Sequence, residues 1–283
     1  MKKILVPFDF SVVAHHAYQF ACEIAVANDG EVHVIHVVEV QYLFGNGMPG
    51  QPYVAFDSVH TITEISRDAE DEFRKMAEAL GPGATKVKYS IKTGSLTDLI
   101  LKTVTEENID LVVMATSGAH GLKKFFIGSN TEKVVRMSPV PVFVLPKALH
   151  LKDVRNIVLP TCLDLTQGEL IKKVQAMQQF FDAVIHVLYV NNFPTSLIRD
   201  EEVEVSLNDF VKFYGLTKYT LNIRRGADLD GAIIRFAGKV PHSIIVMSTH
   251  GYQGFKHLLR GSVAEDVANH AVEPVWTYVS QDE

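Results

Sequence analysis

Two stretches of this chain share one pattern. LVVMATSGAHGLKKFFIGS at 111–129 returns as IIVMSTHGYQGFKHLLRGS at 244–262. In each, an apolar run enters a small-residue loop, a glycine follows, and a Gly-Ser ten positions later opens a helical pattern. Gly118 and Gly128 form that step in the first copy, Gly251 and Gly261 in the second. Pro141 and Pro274 keep the 133-residue offset that separates Gly118 from Gly251. Self-similarity over such a length means two copies of one domain. A chain of 283 residues accommodates two domains of ordinary size, each able to bury its own core. We place them at 1–147 and 153–283, with 148–152 as a linker too short to hold them far apart.

Within each copy, strand and helix periods alternate. Lys3–Phe8 is a continuous apolar run ending at Asp9, as in a buried parallel strand. Ser11 can cap a helix reaching about Asn28, where Asp29-Gly30 stops it. Glu31–Val38 is a β-branched strand, and Gln41–Asp57 holds a long Gly/Pro-rich excursion, a lid or a disordered segment. A helix is expected from about Val59 to Leu80 with a capping box Thr61…Glu64. A strand follows near 85–92, then a helix from Ser95 to about Glu107 and the strand Leu111–Ala115. A helix from Ser129 to Met137 and a last strand Val140–Leu145 close the copy. The second copy matches, Ile157–Pro160 mirroring Ile4–Pro7 at an offset of 153. The fall from 153 to 133 places a twenty-residue deficit between first strand and glycine loop, most of it assigned to the missing Gly/Pro excursion. This alternation predicts an α/β fold: two repeated domains, each a doubly wound, mostly parallel five-stranded sheet with helices on both faces. Ligands in such sheets bind beyond the carboxyl ends of the strands, at the switch in strand order.

Composition narrows the function. A net charge of −6 argues against a nucleic-acid partner. No stretch reaches the ~20 apolar residues of a membrane span, and the N-terminal run is broken too early for a signal peptide. Cys22 and Cys162 cannot build a disulfide framework, and Cys22 reads as a buried thiol; a cytoplasmic location is expected. The 12 histidines show no ligand spacing, so no metal site is expected.

Chemistry-bearing residues gather at the expected ligand edge. Glycines let a backbone approach a ligand, and the amides of Ser129, Asn130 and Thr131 would be open donors at a helix N-terminus, which favours an anion. Gly261-Ser262-Val263 repeats the arrangement. The alternative is a tight turn in which Ser129 and Ser262 are only N-caps, since Ser129…Glu132 and Ser262…Glu265 both fit a capping box. Asp9 at the end of a buried strand needs a polar answer, which an adenine amine or ribose hydroxyl supplies; alternatively it turns the chain. The second copy has Cys162 there, so the halves are not equivalent. His120 and His250 lie in the glycine loops, as phosphate donors or simply as exposed loop histidines, and Arg224-Arg225 at a strand end reads as surface charge, with the second cleft as the alternative. No G-x-G-x-x-G, P-loop or nucleophile elbow is present.

Taken together, ILVPFD at 4–9, VIHVVE at 34–39, VVMATSG at 112–118, the Gly-x9-Gly-Ser step and PVPVFVLP at 139–146 resemble the universal stress protein family in its tandem form, over nearly the whole chain. ATP-binding members of the family show G-x2-G-x9-G-[ST]; here Ala115 and Ser248 stand at the first Gly. The resemblance implies ATP, with Mg2+, as ligand. Pro7 and Asp9 would flank the nucleoside, the Val37 backbone would pair with adenine, and Met114 would line the ribose. Gly118, Gly128, Ser129 and Asn130 would hold the phosphates. The second-copy counterparts are Val190, Met247, Gly251, Gly261, Ser262 and Val263. It further implies that the strands Val140–Leu145 and Val275–Val279 pair within one chain as an intramolecular pseudo-dimer, with a further homodimer of whole chains as an additional option. No catalytic residues are expected, because no carboxylate beside the glycine loop is placed to orient water. The reading is a nucleotide-binding stress-response regulator. The alternatives are a non-nucleotide binder or scaffold and, more remotely, an adenylyl-transferring enzyme.

Overall fold

The computed structural model describes residues 1–39, 57–79, 85–116, 128–191, 199–249 and 262–279. They form two compact units, Met1–Val113 and Met114–Glu283.

The first unit is built on four parallel strands. These are β1 (Lys3–Pro7), β2 (Glu31–Val38), β3 (Lys86–Thr93) and the start of β4 (Leu111–Ala115), in the order β3-β2-β1-β4. Ile4, Leu5, Val6, Ile35, Leu111 and Val112 are all inaccessible to solvent, which is why these runs are apolar throughout rather than alternating. The helices are α1 (Val12–Ala27), α2 (Asp57–Glu78) and α3 (Leu96–Glu106). Tyr18 of α1 and Phe73 of α2 both meet Tyr89 of β3, whereas Lys92, three positions on, reaches Thr103 of α3. Side chains alternate across a strand, so α1 and α2 cover one face and α3 the other.

Local chemistry explains the boundaries. Ser11 caps α1 by accepting the amide of Ala14, and Ser95 caps α3 through Asp98. The left-handed residue ending α1 is Asp29 (φ 49°), with Gly30 N–H returning to the Ala25 carbonyl at 2.8 Å. Gly30 answers a different need: a Cβ there would lie 2.5 Å from the Lys2 carbonyl oxygen. One expectation is corrected here. Helix α2 begins at Asp57, so Thr61 lies a turn inside it rather than at its start.

The second unit carries β5 (Val142–Leu145), β6 (Asn156–Pro160), β7 (Val184–Asn191), β8 (Tyr219–Arg225), β9 (Ser243–Ser248) and β10 (Val275–Tyr278). Their order is β5-β10-β9-β6-β7-β8, parallel except where β5 meets β10. The helices are α4 (Ser129–Met137), α5 (Gly168–Phe181), α6 (Asp200–Phe213), α7 (Leu229–Ala237) and α8 (Ser262–His270). The order 8-7-6-9-10 in the second repeat matches 3-2-1-4 in the first, and the Thr116 amide bonds the Leu145 carbonyl to bring β5 beside the end of β4. Val275 faces Val144 and Trp276 faces Phe143 across the antiparallel β5–β10 pair. The strand β5 starts at Val142 rather than Val140, because the Ser138 hydroxyl ties both backbone groups of Val140 into a turn.

The twenty-residue deficit is shared differently from the expectation. The connection before the helix is 18 residues (39–56) in the first repeat and 8 (192–199) in the second. The helix itself supplies nearly as much, being 22 residues in α2 against 14 in α6. The Gly/Pro excursion lies outside the described residues.

Candidate functional site

At the carboxyl edge of the first unit, the chain leaves β1 through Phe8-Asp9-Phe10-Ser11. The Phe8 amide bonds the Ile35 carbonyl at 2.8 Å, and Phe10 takes a left-handed backbone, φ 62°. Asp9 corrects the burial argument: its carboxylate is exposed, and Oδ1 accepts the Ser11 amide at 3.0 Å. It therefore turns the chain, and being exposed it is also open to a ligand. Pro7 closes β1 opposite Ile35. The Ile35 carbonyl points toward β1 and that of Val38 toward β3, where it accepts from Gly94. Backbone groups alternate along a strand, so the N–H and C=O of Val37 face the β1 side, past the point where β1 has ended. A base edge could be read there.

The second repeat builds the same backbone from other side chains. Thr161 N–H bonds the Leu188 carbonyl at 2.9 Å, and Leu163 has φ 66°. Asn191 directs its carbonyl to Gly226 on the β8 side, so Val190 faces past the end of β6 as Val37 faces past β1. Cys162 replaces Asp9; burial raises its thiol pKa, so it stays protonated at neutral pH and offers no charged acceptor. The Thr161 hydroxyl, instead of a carboxylate, holds the turn by accepting the Leu163 amide.

The residues expected to hold phosphate lie, where described, in the second unit. Ser129 is the first residue of α4 and not its cap. Gly128 precedes it with φ −59°, and its carbonyl accepts from Thr131 at 2.9 Å. No side chain caps this helix, which removes the Ser129…Glu132 capping box and takes the Thr131 amide off the list of open donors. Gly128 does not need a positive φ, and a Cβ there would meet no described atom within 4 Å. Asn130 occupies the next position of the first turn, and Ser262 and Val263 open α8 in the same way. Met114 and Met247 are 4% and 2% exposed, packed at the ends of β4 and β9. Gly118, Gly251, Gly261, His120 and His250 lie outside the described residues.

Of the arginines at the end of β8, Arg225 pairs with Asp200, and Arg224 stacks over Phe236 at 4.8 Å while sharing a cross-strand position with Val190. Among the described residues no three His, Cys, Asp or Glu side chains are grouped to hold a metal, and no helix is long and apolar enough to cross a membrane. Cys22 is half-buried beside Tyr18, and burial pushes its thiol up to about 11.

The sequence reading missed an aromatic cluster around the β1–α1 turn. Phe10 lies 5.0 Å from both His36 and Phe73, Phe8 lies edge-on to His15 at 4.9 Å, and His36 Nδ1 contacts the Phe8 carbonyl at 2.8 Å. Phe8 and Phe10 in PFDF and His36 in HVIHVV were visible as residues; that they converge was not.

A doubly wound α/β repeat whose strand-end backbone projects beyond the first strand, twice in one chain, defines a class of tandem α/β domains. The chain belongs to the universal stress protein family: the family's sequence model matches residues 1–146 and again 153–278. A universal stress protein of Methanocaldococcus jannaschii is 32% identical over 146 residues, 52% of this chain and 82% of the relative. A putative universal stress protein of Staphylococcus haemolyticus is 29% identical over 147 residues, 51% and 84% respectively. The crystal structure of a universal stress protein from Archaeoglobus fulgidus superposes with a TM-score of 0.73 at 20% identity, covering 99% of this chain and 97% of that one. A putative universal stress protein from Pseudomonas aeruginosa gives 0.65 at 18%, covering 98% and 93%.

Proposed function

We propose that the protein is an adenine-nucleotide-responsive regulator that binds ATP in its first repeat and does not turn it over. The observation that carries this is the combination of an exposed carboxylate, Asp9, with the β1-facing side of β2 at Val37, which lies past the last β1 partner, both at the carboxyl end of β1. A carboxylate suits ribose hydroxyls or a base amine, and a free strand edge reads a base through one donor and one acceptor. Taken within the second unit alone, the first turn of α4 at Gly128 and Ser129 carries no side-chain cap and would suit an anion, and Mg2+ would arrive with a nucleotide. No described carboxylate or histidine is assigned to activating water, so binding and not hydrolysis is the proposed activity.

Titration calorimetry with Mg-ATP tests the reading. One site per chain is expected, and Asp9→Ala is expected to weaken it about tenfold or more while Cys162→Ala leaves it unchanged. Absence of heat and of thermal shift at millimolar ATP, with the protein folded, rejects it.

A second reading applies to the other repeat. A protonated thiol at Cys162 and a guanidinium at Arg224 beside Val190 suit a ligand without ribose-type hydroxyls, so that crevice is proposed as a non-nucleotide or purely structural one.

A further inference from the structure

Asp9 sits between two rings that are themselves immobilised. Phe8 is 3% exposed and lies 5.1 Å from Phe10, edge to face, and both rings contact Phe73 of α2, at 6.0 and 5.0 Å. From the strand side, the His36 ring packs on Phe10 at 5.0 Å while its Nδ1 contacts the Phe8 carbonyl at 2.8 Å. The backbone between them is in a region that a bulky side chain rarely adopts, φ 62° at Phe10. Such a conformation persists only where surrounding packing over-determines it, and here the packing is aromatic on both sides of one acidic residue.

The second repeat isolates what that packing adds. Leu163 holds φ 66° in the same turn, so the backbone shape does not require the rings. Thr161, Leu163 and Tyr189 replace Phe8, Phe10 and His36, and Cys162 replaces the acid. The clamp is therefore present where there is a carboxylate to aim and absent where there is none.

We propose that Phe10, held between His36 and Phe73, is a positioning residue that fixes the direction of the Asp9 carboxylate toward a nucleoside's hydroxyls or base amine. The proposal rests on the nucleotide reading of the first repeat. With Phe8 and Phe10 anchored, the Cα–Cβ bond of Asp9 cannot swing, and the Ser11 amide on Oδ1 sets the carboxylate plane. Oδ2 is then presented in one orientation before the ligand arrives, which removes an ordering cost from binding.

A double-mutant cycle on the full chain tests this, with Mg-ATP as probe and calorimetry as readout. Phe10→Leu is the informative variant, because Leu163 shows that leucine is accommodated at this φ; urea unfolding checks that the fold is retained. Phe10→Leu is expected to weaken binding about tenfold in the native background and by less than about twofold when Asp9 is already alanine. Equal factors in the two backgrounds, or no effect in the native one, overturn the positioning role while leaving nucleotide binding intact. Absence of binding by the unmodified protein removes the nucleotide reading and this proposal together.

Discussion

The turns after β1 and β6 are the same backbone put to two uses. Each returns a strand-end amide to its neighbour, from Phe8 to Ile35 and from Thr161 to Leu188, and each forces a bulky residue to positive φ. In the first repeat the turn is clamped by rings and presents a carboxylate. In the second it is tied by the Thr161 hydroxyl and presents a thiol that burial keeps protonated. The difference teaches that the fold supplies the crevice and its unpaired strand edge, while the side chains threaded through the turn decide what the crevice can recognise.

The comparison can be broken most severely at the residue ahead of each turn. Phe8→Ala removes a buried ring from the aromatic cluster and is expected to cost about 3–5 kcal/mol, against about 1 kcal/mol for Thr161→Ala. Urea unfolding of the two variants reads the difference directly. Equal losses would mean that the rings add no packing beyond what the turn itself needs.

Glycine at the strained position sharpens the contrast further. Relief of a left-handed side chain gains about 1–2 kcal/mol. At Leu163, half-buried, this nearly balances the lost packing, and Leu163→Gly is expected within about 0.5 kcal/mol of the native protein. At Phe10 the lost contacts with His36 and Phe73 should prevail, leaving Phe10→Gly destabilised by about 1–2 kcal/mol. Thermal unfolding of both decides it.

The smallest effect concerns the opposite end of the sheets, where β2 and β7 carry His33 and His186 at equivalent places. His33 contacts carboxylates, Glu31 at 2.8 Å and Glu107 at 2.6 Å; His186 contacts the neutral Asn156 and Thr220. Burial lowers the pKa of His186 from its ordinary value, so below about pH 6.5 the unfolded chain binds more protons and stability falls with pH. Glu31 is depressed chiefly by its bond to His33, then by Lys88, so its contribution is present above the ordinary glutamate range and is lost only as pH falls through its lower folded value. Unfolding midpoints from pH 7 to 3 should therefore show His186→Gln flattening the limb just below pH 6.5 and Glu31→Gln flattening the limb below about 4.3.

Much of this architecture was legible because it is periodic or local. The strand Glu31–Val38 and the Ser11 and Ser95 caps follow from side-chain period and from hydroxyls placed before a helix. Errors arose where a motif had two equally local solutions. The helix Ser129–Met137 starts where the sequence places it, which removes the alternative of Ser129 as an N-cap, whereas α2 begins at Asp57 and so leaves Thr61 a turn inside it. Asp9 had two readings, a group answered by a ligand and a group that turns the chain; the structure shows the turn, with the exposed carboxylate accepting the Ser11 amide. The clamp was illegible for another reason: Phe10, His36 and Phe73 lie on three elements far apart in sequence, and only the β1-β2-α2 packing brings them together.

The antiparallel seam of β5 and β10 has a consequence for how such a chain changes over time. In an assembly of identical subunits, any substitution is imposed on every copy of a site at once. Here the two strands that meet are encoded separately, Phe143 opposite Trp276, so an alteration in one half is never forced on the other. An acid could be kept at one crevice and surrendered at its twin without unmaking the seam.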